Sequence, residues 1–355
     1  MNILITERIN ASNQYIELLA SAYQTQGHQV IFDVQNFLFS DFLPDFIHIH
    51  WPEALYKWRH QLKQNQDSTD LIRSRLNYFK THHVPIAYTA HNLLPHKDVS
   101  DFDRDIYKIV IEAADILIHH GEKSIGLLKD SFDCAINKKH IICPHGPYPF
   151  VEVDHEDAKS LFKLPADKLI FLNFGRQRQS KGPDFIQHVF HSLSDGNAFL
   201  FTIGPNPPAN RTEKAIRLFK QNLQGKFPSL FRKSDEFRDV NHNEIPAIFA
   251  ASDAVFLGHR SGLNSGLIAH AISYKKPVVY PNLGNFREQT EGWPWAVEYE
   301  AGDADSATSA ISELITKMKT SPLPQNRDNS IWLERNSWDH YVSTVIREVQ
   351  THLSN

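Results

Sequence analysis

Short apolar runs alternating with stretches of helical spacing, carried through twice, most limit what this chain can fold into. The first round opens with residues 2–6. Tyr15, Leu18, Leu19 and Tyr23 follow at helical intervals and stop at Gly27, a good carboxyl-terminal cap. Residues 29–34, 46–50, 86–90, 115–119 and 141–143 read as further strands. A second round starts at 169–174 and passes through a helix over 183–194 to strands at 199–204, 254–258 and 277–280. Strands alternating with helices predict an α/β architecture of open parallel sheets. Two rounds predict two Rossmann-like domains, 1–152 and 153–336. Residues 337–355 form an amphipathic helix, with Tyr341, Val345, Ile346, Val349 and Leu353 on one face, that closes the fold.

Composition excludes several classes. With 41% hydrophobic and 22% charged residues in 355, the chain is neither disordered nor fibrous. Thirty-seven basic against 41 acidic residues give −4, the wrong sign for a whole-chain nucleic-acid binder. Cys134 and Cys143 are too few for a disulfide framework, and the cytosol is the expected compartment. The amino terminus reaches Glu7 and Arg8 without a signal-peptide core, and no run is long enough to span a membrane. The histidines form neither HExxH nor a Cys/His pattern, so no metal site is expected.

Ligands of open α/β sheets bind beyond the carboxyl ends of the strands, which directs attention to the loops there and to a cleft between the domains. The loop after Phe174 reads Gly-Arg-Gln-Arg-Gln-Ser-Lys-Gly-Pro. It sets Arg176 and Lys181 between a strand and the positive end of a helix that begins at Pro183. That combination binds phosphate. After Gly258 come Arg260 and the run Asn264, Ser265, Gly266, Leu267, in which Ser265 or Asn264 is placed to cap a helix over 266–274. Two such loops fit a diphosphate better than one phosphate. Each alone also reads as solvated cations or an ordinary capped helix.

GRQRQSKGPDF resembles the G-R-x5-K-G-x-D segment of family 4 glycosyltransferases of the GT-B fold. SGLNSGLIAHAISYKKPVVYP, followed by NFRE, resembles that family's donor-binding strand and helix; VPIAYTAHNLLPH resembles its amino-domain strand ending in histidine. NHNEIPAIFAASDAVFL and NSWDHYV resemble the helix before the donor segment and the start of the closing helix. The T-x-H-N-L-L-P-H and S-G-x-L-x-x-A-x-S patterns resemble a bacterial exopolysaccharide subgroup.

The resemblance implies two Rossmann-like domains facing across a deep cleft, the carboxyl-terminal helix packing back on the amino-terminal domain. It implies a metal-independent hexosyltransferase moving a sugar, glucose from UDP-glucose by subgroup likeness, to a glycan or polyprenyl-linked acceptor. Arg176 and Lys181, with Asn264, Ser265, Gly266 and Leu267, take the donor diphosphate. His91 lies near the reaction centre, and Glu53 is a second candidate for general base. Gly204, Arg238, Val240, Arg260 and His270 are candidates for the nucleoside or sugar, and Asn10 and Asn13 for a phosphate or acceptor loop. The family's two glutamates fall at Gly262 and His270, so donor identity and stereochemistry stay open. A nucleotide-sugar 2-epimerase and a non-catalytic sugar-nucleotide-binding subunit are the alternatives. Residues 53–83 carry six Lys/Arg against three Asp/Glu among aromatic residues. This stretch reads either as a solvated helix pair or as a peripheral contact with the inner face of the plasma membrane.

Overall fold

The computed structural model describes residues 1–354 except 10–12, 58–61, 96–98, 194–195, 207–215, 217–218, 220–222, 224–232 and 321–326. Asn10 and part of the basic 53–83 stretch therefore lie outside the described residues. The chain divides into two compact units, Met1–Gly146 with Arg335–Asn355, and Pro147–Glu334.

The first unit is built on six parallel strands: β1 (Asn2–Ile5), β2 (Gln29–Phe32), β3 (Phe46–Ile49), β4 (Ile86–Thr89), β5 (Ile116–His119) and β6 (Lys139–Ile142). Their order is β2-β1-β3-β4-β5-β6, so the direction of winding reverses between β1 and β3. β3, β4 and β5 are buried along their whole length, as expected of central strands covered on both faces. The helix Trp338–Leu353 completes one of those covers. Tyr341, Val342, Val345, Ile346 and Val349 join Tyr15, Leu19 and Tyr23 of the helix Tyr15–Thr25 in one apolar cluster.

The second unit has six more parallel strands: β7 (Leu169–Phe174), β8 (Ala198–Ile203), β9 (Lys233–Glu236), β10 (Ala254–Phe256), β11 (Val278–Pro281) and β12 (Ala296–Tyr299). Their order is β12-β11-β10-β7-β8-β9, and the reversal falls between β7 and β10. β9 and β12 lie outside the strands predicted from sequence. Both are edge strands, and the Lys-Ser-Asp-Glu of β9 carries the charge that blunts an exposed edge and hides the apolar signal. Among the described residues no helix is long and apolar enough to cross a membrane.

Candidate functional site

In the second unit, the loop after β7 leaves the sheet at the β7/β10 reversal, the position where open α/β sheets receive ligands. It is tied to both neighbours. Gln177 N donates to Pro205 O at 2.9 Å, beyond β8, and Arg260 N donates to Ser180 O at 2.8 Å, beyond β10. Gly182 sits at φ 58° where a Cβ would collide with the carbonyl of Gly258, so glycine there permits the β7 and β10 loops to meet. Pro183 then opens the helix Pro183–Ser192.

This loop carries Arg176, Arg178 and Lys181, none of them ion-paired with a carboxylate among the described residues. Lys181 Nζ donates to the carbonyl of Phe174 at 3.4 Å. Burial, reinforced by the neighbouring Arg178 guanidinium, pulls the Lys181 ammonium down to about 8. Burial and then Arg176 lower Arg178 in the same way. Three cations without carboxylate partners among the described residues, gathered in one partly buried loop, present a charge complementary to an anion. Arg178 was not singled out in the sequence; the signal was its place two residues from Arg176 in the same cationic loop.

The helix Gly266–Ser273 begins where the sequence put it, but neither expected cap acts. The Ser265 side chain makes no capping bond; its amide donates to Gln289 Oε1 at 2.9 Å. Asn264 Oδ1 instead accepts from Asn285 Nδ2 at 2.8 Å. Among the described residues the first-turn amides of Gly266 and Leu267 have no side-chain cap, the arrangement a bound anion would complete.

The remaining candidates of this unit have other partners. Arg260 pairs with Asp184. Arg238 is held by Glu236 at 3.1 Å and Glu244 at 2.7 Å, and Val240 is half-buried in the turn after it. Gly204, at φ 144°, is needed where a side chain would strike the carbonyl of Gly175. His270 is sandwiched in an aromatic ladder, its ring 3.4 Å from Tyr148 and 5.5 Å from Phe249, the latter stacking on Tyr274. The flat imidazole ring of His270 fills that slot by stacking.

In the first unit, the sheet reverses between β1 and β3, and Glu7 bridges the gap. Its Oε1 accepts from the amides of His50, at 3.1 Å, and Trp51, at 2.8 Å. Its Oε2 has no hydrogen-bond partner among the described residues, and burial raises the carboxyl to about 7 against the pull of those amides. Glu53 follows in the 3-10 turn Pro52–Leu55, but its Oε2 accepts from Tyr107 OH at 2.5 Å. That contact turns the candidate base inward, and burial raises its carboxyl as well. Asn13 Oδ1 accepts from the amide of Tyr15 at 3.0 Å, securing the start of the first helix.

His91 follows β4 and is buried. Trp51 stacks on it at 4.1 Å, and Tyr15 meets it edge-on at 4.6 Å. His50 after β3 and His120 after β5 flank it. Among the described residues no group of three or more His, Cys, Asp or Glu is placed to hold a metal ion.

No protein-family model matches the chain, and no curated protein matches it either. Solved structures do. Sucrose-phosphate synthase from Thermosynechococcus elongatus superposes with a TM-score of 0.67 at 13% identity, over 100% of this chain and 99% of that one. HepE from Anabaena in complex with UDP-glucose gives 0.68 at 12% identity, covering 99% of both chains. The catalytic domain of starch synthase IV from Arabidopsis thaliana, bound to ADP and acarbose, gives 0.68 at 12% identity over 100% and 99%. With the two parallel six-stranded sheets, this likeness shows the GT-B fold.

Proposed function

We propose that the chain is a glycosyltransferase that takes a hexose from a nucleotide-activated donor and passes it to a glycan or polyprenyl-linked acceptor during exopolysaccharide assembly. The observation that carries this reading is the cluster of Arg176, Arg178 and Lys181, without carboxylate partners among the described residues, at the β7/β10 reversal. A nucleoside diphosphate has the complementary charge, and its leaving oxygen gains more as the glycosidic bond breaks. Cations fixed there stabilise that charge where other enzymes use a divalent ion. Asn264, Ser265, Gly266 and Leu267 complete the phosphate site through the helix end. UDP-glucose is the donor we propose, on the subgroup likeness of the sequence and the match to HepE, whose structure holds UDP-glucose. The first unit, with His91, takes the acceptor side. The proposed location is the cytoplasm, with residues 53–83 touching the inner face of the membrane.

A panel of nucleotide sugars screened by thermal shift in the presence of EDTA tests the donor. At a hundredfold excess over Kd a native-state ligand adds about 2.7 kcal/mol, a clear rise in Tm. UDP-glucose is expected to give it, and no shift with any nucleotide sugar overturns the reading. Arg176→Ala is expected to lower transfer about a hundredfold or more. Its Tm moves little, since Arg176 is exposed and lacks an ion pair among the described residues. The alternatives differ in product. Donor incubated alone would be epimerised by an epimerase, and a binding subunit would turn over nothing even with acceptor extract, both visible by NMR of the sugar.

A further inference from the structure

The carboxyl edge of the first sheet holds a line of buried imidazoles whose hydrogens can be placed by elimination. His120 Nδ1 lies 2.8 Å from the carbonyl of Cys143. A carbonyl only accepts, so Nδ1 carries the hydrogen and, in a neutral ring, Nε2 is an acceptor. That Nε2 lies 3.4 Å from Nδ1 of His91, which therefore donates. His91 Nε2 is left to accept, and it lies 3.1 Å from Nδ1 of His50. His50 donates in turn, and its own Nε2, buried, has no hydrogen-bond partner among the described residues. One carbonyl thus sets the tautomer of three rings.

Neutrality of the line follows from its surroundings. Burial, and then the neighbouring imidazoles, hold His50 and His91 well below the usual histidine range, and burial holds His120 at about 4. The groups facing the line are His48, its ring 4.0 Å from His50; Tyr15, edge-on to all three; Tyr341, 6.2 Å from His120; His145, 5.5 Å from His120; and Glu7, through the amide of His50.

We propose that His50 and His120 are positioning residues that hold His91 uncharged, as the Nδ1–H tautomer, with both ring nitrogens engaged, so that His91 orders the acceptor side and does not itself take the acceptor's proton. This rests on reading the chain as a glycosyltransferase, yet its core, the tautomer, can be read without substrate.

The test is nitrogen-15 NMR of the histidine rings of the full-length protein, with resonances assigned through single His→Gln variants. In the wild type at pH 7, His50, His91 and His120 are expected as neutral Nδ1–H rings. His120→Asn keeps a donor for the Cys143 carbonyl and removes the acceptor for His91. It is expected to mix the tautomers of His91 and His50, and to lower kcat by on the order of tenfold to a hundredfold. His120→Gln offers an oxygen where Nε2 stood and is expected to restore both. A charged or Nε2–H His91 in the wild type overturns the proposal, as does an unmoved His91 spectrum in a folded His120→Asn. Should neither variant fold, the wild-type spectrum still decides. An absence of transfer with every donor would count against the function and leave the tautomer result standing.

Discussion

Glu7 shows how one side chain can serve a fold at a cost that depends on pH. Its Oε1 joins the turns after β1 and β3, while burial raises its carboxyl from 4.5 to about 7. Between those values the folded chain holds a proton that the unfolded chain has released, so stability falls as pH rises through the window. The shift corresponds to on the order of 3 kcal/mol. Glu7→Gln keeps an acceptor for the two amides and removes the ionisation. Urea titrations are expected to show the variant gaining on the wild type from pH 5 to 8, and parallel curves would refute the assignment. Lys181 has the opposite sign, again because of burial. Its ammonium, lowered to about 8, binds protons more weakly in the folded chain, so its contribution to stability improves as pH rises from 8 toward 10.5. Arg176 and Lys181 were legible in the sequence because loop position and charge are both local properties. Glu7 and the His50–His91–His120 line were not, because burial and hydrogen-bond direction arise only when β1, β3, β4 and β5 lie side by side.

Among the elements, the loop after β7 carries the proposed donor site, and its key residue has no side chain. Gly182→Ala would place a methyl against the Gly258 carbonyl at a positive φ. About 1–3 kcal/mol of backbone strain is expected, and the Ser180–Arg260 link should loosen. A drop in Tm with a weaker UDP-glucose shift is the expected outcome; an unchanged Tm would show that the loop has room. The buried strands were read from sequence because covered parallel strands are continuous apolar runs, as in the Leu-Ile-Phe-Leu-Asn-Phe of β7. β9 and β12 escaped because an edge strand is specified by pairing with one neighbour and shows little of its own pattern. Cap chemistry misled at Ser265, whose side chain makes no capping bond.

Across the whole molecule, the first unit depends on a segment that follows the second in the chain. Tyr341, Val342, Val345, Ile346 and Val349 are buried against it. At about 1.5–3 kcal/mol for each such side chain, their loss approaches the total stability of a domain. A variant truncated after Glu334 is expected to lose amide protection across β1–β6 while β7–β12 stay protected, as read by hydrogen exchange. Retained protection of β1–β6 would mean that the segment covers the sheet without holding it together.

The split first unit also sets a schedule for synthesis. Domains ordinarily fold in the order in which they leave the ribosome. Here the segment 1–146 emerges first yet lacks its cover until 335–355 are released, by which time 147–334 has been translated in full. The nascent amino-terminal sheet must therefore wait with the apolar face around Tyr15, Leu19 and Tyr23 uncovered, a natural landing place for a chaperone.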